Sequence, residues 1–160
     1  MTLALTTVLL CDHAQVREGL LFVHSGGVSR VVPATYPASI RVHLALVVHL
    51  PASDVAESHT IDLRFKYPDS AELIATAQIA LKLNEIQGAY PGEGINVPQV
   101  VDLAFIPFPR PGQVDVQVIV NPTGGSDGID GVALGKDGEP PVVDLSFWLL
   151  PAHSPAHPAT

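Results

Sequence analysis

Hydrophobic and polar residues alternate with a period of two along much of the chain. In "TIDLRFK" (60–66), Ile61, Leu63 and Phe65 fall on one side, and Thr60, Asp62, Arg64 and Lys66 on the other. In "QVDVQVIV" (113–120), Val114, Val116, Val118 and Val120 alternate with Gln113, Asp115 and Gln117; in "VVDLSFWLL" (142–150), Val143, Leu145, Phe147 and Leu149 share a face. A two-residue period belongs to a strand with one buried face, because successive side chains point to opposite sides of the sheet. The pattern predicts strands over 3–11, 20–25, 40–50, 59–67, 72–83, 99–108, 113–120 and 142–150.

Fifteen Pro and thirteen Gly punctuate these segments and leave little room for long helices. "REG" (17–19) and "PRPG" (109–112) read as short hairpin turns, Gly19 supplying the positive φ that such turns favour. The longer segments 84–98 and 121–141 read as loops. The expected fold is therefore all-β: a single antiparallel β-sandwich of about eight strands with little helix, Ig-like or of a related Greek-key topology. One domain spans 1–150, and the Pro/Ala/His-rich 151–160 reads as a disordered tail.

Composition narrows the function classes. Eight Lys and Arg against sixteen Asp and Glu give a net charge of −8, with no basic cluster anywhere. Binding a polyanion or an anionic membrane needs such a cluster to displace counterions, so neither nucleic acid nor membrane is an expected partner. A chain that is 47% hydrophobic has the material for a sizeable core. No run reaches the roughly 18–20 apolar residues of a spanning helix. The N-terminal "MTLALTTVLLC" lacks the charged leader of a signal segment, so it reads as a first strand. A single cysteine permits no internal disulfide, and a cytoplasmic setting is expected.

The triplet "CDH" (11–13) invites a catalytic reading. On a strand Asp12 points away from Cys11 and His13, which are themselves separated by about 6.6 Å of rise, beyond hydrogen-bond reach. Cys11 reads instead as a small buried hydrophobe near a strand end. His43 and His49 share a face of the third strand but lie about 20 Å apart along it. No zinc-type ligand spacing is present, and no cofactor or firm metal site is expected. Asp127, Asp130, Asp137 and Glu139 are weak calcium candidates in the glycine-rich 121–141 segment, which also carries the alternative reading of a calcium- or carbohydrate-binding module. No nucleophile elbow, phosphate loop or dinucleotide fingerprint occurs, so a non-enzymatic role is expected.

The outer faces supply the remaining candidates. Arg41, His43, Ala45, Val47 and His49 make a half-apolar exposed face on the third strand; Val142, Trp148 and Leu150 do so on the last. Such faces mark partner surfaces unless a second sheet or loop covers them. His43, Val47, His49, Tyr90 and Trp148 are the expected contact residues of a protein-binding or assembly module, with a protein partner or a homo-oligomer.

Several of these stretches together resemble a family of small uncharacterised bacterial proteins, a domain of unknown function with a β-sandwich expected. The similar parts are "LLCD", "REGLLFVHSGGVSRV", "PATYP", the long third strand, and "FIPFPRPG" leading into "VDVQVIV", over about residues 4–120. The resemblance implies the fold and transfers no functional residue.

Overall fold

The described residues form nine strands, eight of them at segments where the alternation predicts one. In the computed structural model, which describes residues 3–55, 58–81, 90, 92–122 and 140–152, they are β1 (Ala4–Arg17), β2 (Leu20–Gly26), β3 (Arg30–Val31), β4 (His43–Leu50), β5 (His59–Lys66), β6 (Leu73–Leu81), β7 (Ile95–Asp102), β8 (Gly112–Pro122) and β9 (Val142–Leu149). The only helical piece among the described residues is a 3-10 turn, Leu103–Phe105. A four-stranded sheet has the order β2-β1-β4-β7, and a five-stranded sheet the order β3-β9-β8-β5-β6.

One hydrophobic cluster joins the two sheets. Leu44, Leu46, Val48 and Leu50 of β4 pack with Ile61, Leu63 and Phe65 of β5, Val114, Val116, Val118 and Val120 of β8, and Phe147 and Leu149 of β9. The faces expected from the alternation are the faces observed. Phe108 sits among them, edge-on to Phe65 (6.3 Å, 77°) and to Phe147 (5.8 Å, 86°). Each fully buried side chain of this size contributes about 1.5–3 kcal/mol of transfer free energy.

Several sequence expectations need correction. The first strand does not end near Cys11 but runs to Arg17, where a two-residue turn at Glu18 (φ 53°) and Gly19 (φ 76°) returns it as β2. Two positive φ values in succession match the twist of a tight hairpin. The strand placed at 99–108 begins earlier, at Ile95, and ends at Asp102, whose carboxylate accepts the Ala104 N–H and starts the 3-10 turn. The chain then bridges to Ala38 through Phe108. "PRPG" is consequently no hairpin: β7 and β8 belong to different sheets, and this segment carries the chain between them. Nor is pairing wholly antiparallel, since the short β3 lies parallel to β9. The expected 121–141 loop and 151–160 tail fall almost entirely outside the described residues.

Candidate functional site

The outer faces of the two sheets differ in chemistry. On the five-stranded sheet the outward side chains tie to one another. Asp62 accepts from Gln78 (2.8 Å) and Asn121 (2.7 Å), Asp144 accepts from Gln117 (3.1 Å), and Asp115 from Gln113 (3.1 Å). A concavity of about 670 Å³ on that side is lined by Arg64, Lys66, Leu73, Asp115, Gln117 and Ser146 among others. Its cations and carboxylates are interspersed and define no ligand of one charge.

The four-stranded sheet is different. Pairing puts Leu9, Ala45 and Val100 in one row across β1, β4 and β7, with Thr7, Val47 and Pro98 on one side of it and Cys11, His43 and Asp102 on the other. Ala45 and Cys11 are fully buried within this layer, joined by Leu9 and Val100 in a second small apolar cluster. His43 and Val47 are half-buried on this face, as the alternation implies. His49 is there too, but its ring lies against the backbone of Gly94, where an added Cβ would come within 2.8 Å of it. Its Nδ1 pairs with the Asn96 side-chain oxygen at 3.0 Å.

Tyr90 is 79% exposed, in a turn closed by its own N–H donating to the Glu93 carboxylate (2.9 Å) and the Glu93 N–H donating to its carbonyl (3.0 Å). Trp148, 49% exposed, is on β9, paired with Arg30 and Gln113 in the other sheet. The five expected contact residues therefore do not make one surface. Asp127, Asp130, Asp137 and Glu139 lie outside the described residues.

Cys11 is enclosed, its thiol donating to the His43 carbonyl at 3.5 Å. Burial pushes the thiol pKa up, and the neighbouring Asp12 carboxylate adds to the shift. A thiol held protonated is a poor nucleophile and a poor ligand.

What the residue-by-residue reading missed is across the strands. His13 of β1 lies directly opposite His24 of β2, with ring centroids 6.2 Å apart. His13 also meets His43 of β4, centroids 5.1 Å apart and planes at 81°. The signal was present: a turn that pairs Arg17 with Leu20 necessarily pairs His13 with His24. A separate polar group, this one buried, lies at the entry to β5, where the His59 ring donates from Nε2 to the Asp54 carbonyl (3.0 Å) and Ser53 donates to the Asp54 carboxylate (2.6 Å). That arrangement is not a relay, because the histidine is bound to backbone and not to the serine or its carboxylate partner.

Together these features define an all-β protein of two sheets on one core, with one polar outer face and one apolar, histidine-bearing face. The chain belongs to a family of unknown function, DUF6941, whose model matches residues 6–123. The matched segment begins inside β1, two residues after its start, and runs to just past the end of β8, while β9 lies beyond it. Neither the curated proteins nor the solved structures give a match. Among the described residues, no helix is long and apolar enough to cross a membrane.

Proposed function

We propose that the protein is a non-enzymatic assembly module in which edge strand β2 pairs antiparallel with β2 of a second copy. The observation that supports this reading is the state of that edge. β2, "LLFVHSG", has seven residues with no acid, lysine, arginine or proline among them, and Leu20, Phe22 and Val23 are 61%, 43% and 36% exposed. Sheets guard their edges with charge, proline, bulges or very short strands, because unpaired N–H and C=O groups recruit further strands.

The other three edges carry such devices. β7 has Pro98 in its middle, β3 is two residues long, and β6 is interrupted where Phe65 pairs with Ala75 but Lys66 with Leu73. A chain with a net charge of −8 repels its copies over most of its surface. A twofold axis across β2 brings one uncharged segment against itself, so the backbone groups pair and no ion is buried. We also read the two sheets as the layers of a β-sandwich, and the lone buried thiol as suited to a reducing cytoplasm.

Sedimentation equilibrium at micromolar concentration tests the reading. A dimer that becomes monomeric in Phe22→Lys and Val23→Lys, with unchanged circular dichroism, is the expected result. A wild-type monomer, or a dimer indifferent to both substitutions, overturns it.

A further inference from the structure

The hairpin register and the β1–β4 pairing place three imidazoles side by side on neighbouring strands; the row meets the edge proposed above only at His24 of β2, by its side chain, whereas edge pairing uses that strand's backbone. His13 is central. His24 is its direct cross-strand partner, and His43 stands diagonally across, because its own partner on β1 is Cys11, two positions from His13. Direct cross-strand partners have Cβ atoms about 4.5–5.5 Å apart, close enough for both rings to reach one point between them. Two imidazoles on one ion, with metal–nitrogen bonds of about 2.0–2.1 Å, put their ring centroids about 5 Å apart at tetrahedral angles. His13 and His43 already stand at 5.1 Å.

His43 is also oriented as a ligand would be. Its Nδ1 lies 3.1 Å from the Asp12 carbonyl, which can only accept, so Nδ1 carries the proton. Nε2 is left with its lone pair. A metal-bound histidine characteristically donates its other N–H to a carbonyl or carboxylate, which fixes both tautomer and ring direction. His13 and His24 are exposed, and their rings turn without disturbing the core.

We propose that His13 and His43, with His24 as a third ligand, bind one divalent first-row transition ion on the face of the four-stranded sheet. Among the described residues no three ligating side chains converge on one point in the conformation observed. The resting geometry therefore supplies the spacing of a His13–His43 pair, and rotation of the exposed His13 and His24 rings about their χ angles brings their nitrogens to the ion. Nitrogen-only donors select zinc, nickel or copper over magnesium or calcium. Cys11 is not a ligand, since its thiol is buried, protonated and engaged with the His43 carbonyl. With three exchangeable positions or fewer taken by protein, water completes the shell.

Isothermal titration of the full chain with Zn²⁺ and with Ni²⁺ is the test, accompanied by imidazole nitrogen shifts in NMR to locate the ion. The expected result is one saturable site per chain, weakened about tenfold or more in His13→Gln and in His43→Gln. Binding also weakens in acid, because a protonated imidazole has no lone pair to give. The variant His153→Ala/His157→Ala, which removes the C-terminal histidines, leaves the affinity in place. Circular dichroism confirms that each variant is folded, and His24→Gln gives a smaller loss on an exposed position that cannot unfold the sheet. Absence of saturable binding, affinity unchanged in both His13→Gln and His43→Gln, or affinity lost with the C-terminal histidines each overturns the proposal.

Discussion

Val47 and Trp148 stand on opposite outer surfaces of the molecule. Val47 lies on β4, between Thr7 and Pro98 in the four-stranded sheet, and Trp148 on β9, beside Gln113 in the five-stranded sheet. The core lies between them, so no single flat partner touches both. Neither residue is on the β2 edge. Val47→Ala and Trp148→Ala are accordingly expected to leave the sedimentation mass unchanged, while Phe22→Lys halves it. Their effects on unfolding free energy add to within about 0.3–0.5 kcal/mol in the double variant, because the two sites share no partner. A coupling well above that, in urea titrations of the four proteins, contradicts the separation of the faces.

Phe108 holds the centre of the core from a segment outside the sheets. Its ring is fully buried and meets both Phe65 and Phe147 edge-on, while its backbone exchanges two hydrogen bonds with Ala38 (2.7 and 2.9 Å). Phe108→Ala removes the ring and leaves a cavity between the layers, at an expected cost of about 3–5 kcal/mol. Phe108→Leu refills much of that volume and costs distinctly less. Guanidinium unfolding of both variants ranks them.

The thiol of Cys11 gives a pH signature. Its folded-state pKa is raised by burial and by Asp12, so the unfolded chain loses this proton first as pH rises. The sign follows from linkage: a raised folded pKa contributes stability fully present below the unfolded value. That contribution is lost as pH climbs through the folded value. The protein is expected to lose stability on the alkaline side of the ordinary thiol range, and Cys11→Ala flattens that part of the profile. Thermal melts stepped through alkaline pH measure it. Tyr36, also raised chiefly by burial, adds a later loss of the same sign.

How far the fold was legible depends on which contacts decide each element. The inward faces of β5, β8 and β9 follow from alternation alone, because burial of one face dictates the residue at every second position. The start of β7 was hidden by Pro98, which reads as a strand breaker until the strand is known to be an edge that tolerates it. Its end was hidden because "DLAFIPF" stays apolar while Asp102 caps a 3-10 turn, and apolar runs do not record direction. β3 has two residues and a parallel partner more than a hundred positions away, so no local pattern marks it. Two of the three histidines in the row, His13 and His24, were legible from the hairpin register. His43 entered only through the β1–β4 pairing, which no turn specifies.

The link between Tyr67 and Arg110 closes the passage from the β7 side to β8, and two substitutions separate its parts. The Tyr67 hydroxyl donates to the Arg110 carbonyl (2.6 Å) and accepts the Arg110 N–H (3.2 Å), and the guanidinium carbon lies 4.0 Å from the ring centroid. Tyr67 is buried, so the hydroxyl satisfies backbone groups with little access to water. Tyr67→Phe removes both bonds and leaves the Arg110 N–H and carbonyl to find other partners, an expected loss of about 1–2 kcal/mol. The Arg110–Asp69 ion pair, with side chains 47% and 67% exposed, is screened and entropically costly. Asp69→Ala is therefore expected to change stability by less than about 1 kcal/mol. If urea titrations find Asp69→Ala the more damaging of the two, the connection is held by charge and not by the tyrosine hydroxyl.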